Sequence, residues 1–121
     1  MSIGTLGSVV LDCPDPKELA TFYAAVVGGD VEADDDDWVE LRAADGVKVS
    51  FQRAPELRAP QWPDPERPQQ FHIDVAVEDL DAAQEAVLAL GAKLLEDDHG
   101  GERDWRVFSD PAGHPFCLCA C

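Results

Sequence analysis

The stretch Phe71-His72-Ile73-Asp74-Val75-Ala76-Val77-Glu78-Asp79-Leu80 decides the fold. Its first seven residues alternate bulky apolar side chains with small or polar ones, the period of a strand with one buried face. Phe71, Ile73, Val75 and Val77 share one face, which suits packing under a helix, and His72, Asp74 and Ala76 share the other. Glu78-Asp79 then forms an acidic turn. A helix follows from Leu80 to Leu90, with Leu80, Ala83, Val87 and Leu90 on one stripe and Gly91 as its stop.

The same plan opens the chain. Val9-Val10-Leu11-Asp12-Cys13-Pro14-Asp15 reads as an apolar strand ending in an acidic turn. Pro16 to Val27 is amphipathic, with Leu19, Phe22, Tyr23 and Val26 at helical spacing. Pro16 suits a first helical turn and Gly28-Gly29 a stop. Asp15 and Asp79 hold matching places, and each can cap its helix by accepting backbone N–H bonds. The closing parts also match. Trp38 to Gly46 and Trp105 to Gly113 are equally long, and each reaches a strand through a turn of Asp plus Gly. Those turns are Ala44-Asp45-Gly46 and Asp110-Pro111-Ala112-Gly113, leading into strands Val47 to Gln52 and Pro115 to Cys121. Each half therefore reads strand, helix, then up to three shorter strands, and a repeat of this kind sets the architecture.

The repeat divides one domain, residues 1–121, into a first module (5–53), a connection (54–70) and a second module (71–121). The connection carries Pro55, Pro60, Pro63, Pro65 and Pro68, which exclude a helix or a central strand. It also carries Trp62, readable as a side chain docked on the surface or as part of a lid over a pocket.

Composition narrows the partners. With 121 residues and 45% apolar side chains, the chain can bury a core without disulfides or metal. Twenty-five acidic against nine basic residues give a formal charge of −16. Such a surface repels phosphate backbones and anionic lipid, so neither nucleic acid nor membrane is an expected partner. The charge serves solubility, or it attracts cationic ligands. No apolar run approaches the roughly 20 residues of a membrane helix. The opening Met1-Ser2-Ile3-Gly4-Thr5 has no basic or apolar signal region, which predicts a cytoplasmic location. Cys13, Cys117, Cys119 and Cys121 lack the spacing of a zinc site; they read as small buried thiols or as a soft-metal or redox site. Asp34 to Asp37 lacks the EF-hand spacing and reads as a solvated turn, as does Asp98-His99-Gly100-Gly101.

A βαβββ repeat with Asp-Pro-x-Gly before the last strand resembles the vicinal oxygen chelate superfamily of glyoxalases, bleomycin-resistance proteins and extradiol dioxygenases. The likeness rests on Val9 to Asp15 leading into Phe22-Tyr23 and Gly28, Phe71 to Leu80, Leu90-Gly91-Ala92, and Asp110-Pro111-Ala112-Gly113-His114-Pro115-Phe116. It is most similar to the short glyoxalase-like domain proteins. The resemblance implies an α+β fold in which two βαβββ modules form curved mixed sheets around a cleft, and it implies a homodimer.

Period two supplies the cleft-facing residues. Ser8, Val10 and Asp12 lie opposite Val9, Leu11 and Cys13, and Ser50 and Gln52 lie opposite Val49 and Phe51. In the second half His72 and Asp74 face the cleft with Cys117 and Cys119. The expected ligand-binding set is Ser8, Asp12, Ser50, Gln52, His72, Asp74, Cys117 and Trp62, with Trp38, Trp105 and Tyr23 as further aromatic walls. Metal-using superfamily members place four ligands on such strands. The resemblance carries those positions to Ser8, Gln52 (or Ser50), His72 and Cys117, of which His72 is an ordinary ligand and Gln52 a weak one. The expectation is a degenerate or absent metal site and a small aromatic or cationic ligand. The competing reading is a metal-dependent glyoxalase-like lyase or isomerase, or a ring-cleaving dioxygenase, using His72 with an unusual ligand set. His72 and Asp74 are the candidate acid–base residues, although neighbours two apart on a strand are not expected to pair tightly.

Overall fold

The computed structural model describes residues 3, 6–69 and 72–120. Phe71 and Cys121, which the sequence assigns to strand ends, and Gln70, the last residue of the connection, lie outside the described residues. The chain divides into two compact units, Met1–Leu57 and Arg58–Cys121.

The first unit runs β1 (Val9–Cys13), α1 (Pro16–Val27), β2 (Asp30–Ala33), β3 (Trp38–Arg42) and β4 (Lys48–Arg53). The second runs β5 (Ile73–Ala76), α2 (Leu80–Ala89), β6 (Lys93–Glu96), β7 (Trp105–Ser109) and β8 (Pro115–Cys119). Their sheets have the same order, β1-β4-β3-β2 and β5-β8-β7-β6. In each, the first and last strands pair in parallel and the remaining pairs are antiparallel. The duplication extends to single hydrogen bonds. Before β4, Gly46 N donates to Ala43 O and Ala43 N to Val47 O; before β8, Gly113 N donates to Asp110 O and Asp110 N to His114 O.

Local chemistry explains the helix starts. Asp15 accepts a bond from Glu18 N at 3.2 Å, and Asp79 accepts one from Ala82 N at 3.1 Å, so each satisfies a backbone donor that the first turn leaves free. Pro16 occupies the first turn of α1, where its missing N–H costs nothing. The chain leaves α1 through Gly29 at φ 113°, where a β-carbon would press on the backbone of Arg42 and Ala43. Only glycine fits there.

The core lies between each helix and its sheet. In the first unit Leu19, Phe22 and Tyr23 of α1 are buried with Leu11, Cys13, Val39, Leu41 and Phe51. Tyr23 stacks on Phe51 at 5.9 Å between ring centroids, so it belongs to the core and not to a ligand wall. In the second unit Phe108 and Phe116 stack at 5.6 Å, and both are fully buried.

The second helix packs differently from the expected apolar stripe. Val87 is its one buried residue, and Leu90, just past the helix, is 43% exposed. The reason is Arg106, which pairs with Leu118 on β8 and so shares the helix-side face. Its guanidinium donates to Asp81 (2.8 Å) and Gln84 (3.0 Å) on α2 and to Asp98 (2.8 Å) in the β6–β7 connection. Those bonds hold the Asp98 carboxyl below the usual range and raise the Arg106 guanidinium above its own. Those polar bonds add to the apolar burial of Val75, Val87, Phe108, Phe116 and Leu118 in this unit.

The connection is ordered by its own turns, with Gln61 N donating to Arg67 O and Arg67 N to Asp64 O. Ala59 sits against Gly113, where a β-carbon would collide with it.

Candidate functional site

Strand register fixes which side chains share the polar face of each sheet. Side chains paired across neighbouring strands point the same way. In the first unit Val10 pairs with Ser50 and Asp12 with Gln52; β3 adds Trp38 and Glu40 opposite Gln52 and Ser50. In the second unit Asp74 pairs with Cys117 and Ala76 with Cys119; β7 adds Val107 and Trp105 opposite those cysteines. Matching pairs, Val10 with Ser50 and Asp74 with Cys117, settle the open gap: Ser50, not Gln52, stands where Cys117 stands in the other half.

The first unit ties up the middle of its polar face with its own bonds. Ser8 and Ser50 hydroxyls lie 2.6 Å apart, and Ser50 is fully buried. Lys48 Nζ reaches Glu40 at 2.9 Å, and Trp38 Nε1 donates to the same carboxylate at 3.3 Å. Lys48, then Trp38, hold the Glu40 carboxyl below its ordinary value. Asp12 and Gln52 are exposed at the end of this face.

The second unit leaves its face open. A cavity of about 200 Å³ is lined by His72, Asp74, Trp105, Cys117 and Cys119. His72 Nε2 lies 3.1 Å from Asp74 Oδ1, a contact the spacing of two residues did not lead us to expect. His72 precedes the first residue of β5, Ile73, so the regular strand rise does not hold the two side chains apart. Asp74 also accepts a hydrogen bond from the Cys117 thiol, which places the carboxylate between imidazole and sulfur. Burial first, then the charge of Asp74 and that hydrogen bond, push the Cys117 thiol up to about 11. A thiol held protonated is a poor nucleophile at neutral pH. Cys119 is disulfide-bonded, contrary to the thiol reading.

Around the cavity, Arg103 lies over the Trp105 ring at 4.7 Å and reaches Glu96 at 2.7 Å. The cation covers one face of the indole and fixes its plane. The sequence reading missed Arg103 and Glu96, because both sit at loop or edge positions with no periodic signal. Trp62 is half-buried, its indole N–H is buried without a partner, and it is not among the described residues lining the cavity. His99 and Asp34 to Asp37 are exposed turn residues, as expected.

The family model of the glyoxalase-like domain matches residues 8–119. The chain belongs to the glyoxalase-like domain family. With it comes membership of the vicinal oxygen chelate superfamily. No curated protein is a significant match. Solved structures share the fold at low identity. A possible glyoxalase from Bacillus cereus superposes with TM-score 0.71 at 14% identity, covering 98% of this chain and 100% of that one. The fosfomycin resistance protein FosX from Listeria monocytogenes, in a mutant complexed with Mn(II) and 1S,2S-dihydroxypropylphosphonic acid, gives 0.72 at 18% identity, covering 98% and 91%. A glyoxalase/bleomycin resistance protein/dioxygenase family enzyme from Burkholderia phytofirmans gives 0.72 at 16% identity, covering 95% and 97%.

Metal-using relatives raise the question whether this glyoxalase-like domain fits a hard divalent ion. Of the four positions the resemblance assigns, two are serines whose hydroxyls are bonded to each other, and one is the Cys117 thiol. Hard cations require carboxylate and other oxygen donors. These four residues do not supply that set. Among the described residues no helix is long and apolar enough to cross a membrane.

Proposed function

We propose that this glyoxalase-like domain binds a small molecule on the polar face of its second unit, as a homodimer, without the hard-ion chemistry of metal-using relatives. The observation that carries the reading is the cavity of about 200 Å³ lined by His72, Asp74, Trp105, Cys117 and Cys119. Pockets for drug-sized ligands span roughly 300–1,000 Å³, so the ligand is smaller, on the scale of one ring with a short substituent.

Chemistry narrows the class further. Trp105 is 39% exposed, and with Arg103 over one face it offers the rest of its ring for stacking. Asp74 gives the cavity a carboxylate, favouring a basic group, and the formal charge of −16 draws cations toward the whole surface. His72 supplies a second polar contact that orients the ligand. An aromatic or heteroaromatic cation satisfies all three.

A thermal-shift screen of small aromatic amines, run in a chelator, tests the reading. Stabilisation by such compounds, lost in Trp105→Ala and Asp74→Asn, is expected. No response across a broad library, or a response indifferent to both substitutions, would reject it.

A further inference from the structure

Glu96, Val107, Cys117 and Asp74 stand opposite one another across β6, β7, β8 and β5, in one row on the polar face of the second unit. Glu96 joins that row through a bulge. Leu94 pairs with Phe108, the next pair is Glu96 with Val107, and Leu95 is passed over. Bulges of this kind interrupt the ladder and re-aim a side chain. The carboxylate brought to the face holds Arg103. Both bonds of that guanidinium leave from Nη2, to Glu96 Oε2 and to the Asp97 carbonyl, each at 2.7 Å. Arg103 Nε–H, by contrast, is buried without a partner. Buried donors nearly always have acceptors. One left over against Trp105, a ring that lines the cavity, marks a place for an acceptor from outside the chain.

We propose that Arg103 is a specificity-determining residue of this cavity, whose ligand pairs a basic group for Asp74 with an uncharged acceptor, an amide or ketone carbonyl, for the Arg103 Nε–H. The inference rests on the small-molecule site proposed above and names its ligand class. The Trp105 ring lies 4.7 Å from the guanidinium carbon, so Arg103 borders the surface on which the ligand stacks. That residue is 39% exposed, and turning its side chain opens Nε to the cavity. Asp74 and Trp105 sit on β5 and β7, two strand spacings or about 10 Å apart, so the basic group and the carbonyl belong at opposite ends of one ring. Charge decides against a carboxylate. Glu96 already neutralises Arg103, and Asp74 adds a further negative charge, so an anion is repelled where a neutral acceptor is not. After burial and Asp74, the charges of Arg103 and Glu96 also act on the Cys117 thiol, in opposite senses, so both reach the cavity.

Calorimetric titration in chelator compares benzylamine, para-(aminomethyl)benzamide and para-(aminomethyl)benzoate, which differ only at the far end of the ring. The amide should bind roughly 10-fold more tightly than benzylamine, the gain of one hydrogen bond to a charged donor. The benzoate should bind more weakly than the amide. Arg103→Met keeps a side chain over Trp105 but removes the donors, so it should abolish the advantage of the amide. The ratio of the two affinities is the readout, because a displaced Trp105 weakens both compounds alike and leaves their ratio unchanged. The ranking in the unaltered protein tests the proposal even where Arg103→Met fails to fold. Equal affinity for amide and benzylamine, a benzoate as tight as the amide, or an advantage that survives Arg103→Met overturns it. If benzylamine binds and Asp74→Asn weakens it, any of those results removes the acceptor subsite and leaves the small-molecule reading standing. Failure of all three compounds to bind also overturns the inference, and the wider screen then decides the reading beneath it.

Discussion

Alkylation of Cys117 probes the electrostatics of the cavity residue by residue. Burial, the Asp74 charge and the hydrogen bond to Asp74 move the thiol from 9.0 to about 11. The thiolate is the reactive form. At pH 8 a thiol titrating at 9 is about one-tenth ionised and one titrating at 11 about one-thousandth, so Cys117 should react roughly 100-fold more slowly with iodoacetamide than an ordinary thiol. Its rate should keep rising about tenfold per pH unit to pH 10. Asp74→Asn removes the charge but leaves the burial, so the profile should shift to lower pH without reaching 9.0. Peptide mapping by mass spectrometry separates Cys117 from the fully buried Cys13. The same shift has a stability consequence. A proton held more tightly in the folded state gives a contribution that is complete below pH 9.0 and is lost as pH rises through about 11. A midpoint at or below 9 in the unaltered, chelator-treated protein, or a profile indifferent to Asp74→Asn, would refute this account of the site.

Three further substitutions test the framework. Asp79→Ala deprives Ala82 N of its acceptor and should cost about 1 kcal/mol in urea unfolding, with the fold retained. Gly29→Ala forces a β-carbon against Arg42 O and 2.7 Å from Ala43 Cα at a left-handed φ, so it should lower stability by more than about 3 kcal/mol, read by circular dichroism and soluble yield. Phe116→Ala empties the stacked pair under the second sheet and should cost about 3–5 kcal/mol in the same unfolding assay.

Much of the fold was legible because local signals agreed. Asp15, Pro16 and Gly28 bound α1 at the residues the sequence indicates, and the helix runs Pro16–Val27. Period-two alternation assigned Ser50, Asp74 and Cys117 to the polar face, and the ladders place them there. What stayed hidden depends on partners distant in sequence or on side-chain rotation. Arg106 interrupts the helix-side face of β7, and its partners Asp81, Gln84 and Asp98 come from other elements, so no window of sequence shows that α2 is held by polar bonds. The His72–Asp74 contact turns on where β5 begins, which alternation alone fixes poorly. The equivalence of Ser50 with Cys117 needed the register, because the halves differ in loop length between helix and final strand. Aromatic residues were the least legible: Tyr23 is core and Trp105 lines the cavity, though both carry rings of similar character.

The proposal at stake is that recognition belongs to the open polar face of the second unit, while on the first Ser8 is bonded to Ser50 and Glu40 to Lys48 and Trp38. Nitrogen-15 NMR titration with any stabilising compound from the screen tests it in one spectrum series. Shifts concentrated at Asp74, Trp105, Cys117 and their strand neighbours are predicted. Shifts centred on Glu40, Lys48 and Ser50 instead, with the second unit unmoved, would contradict it.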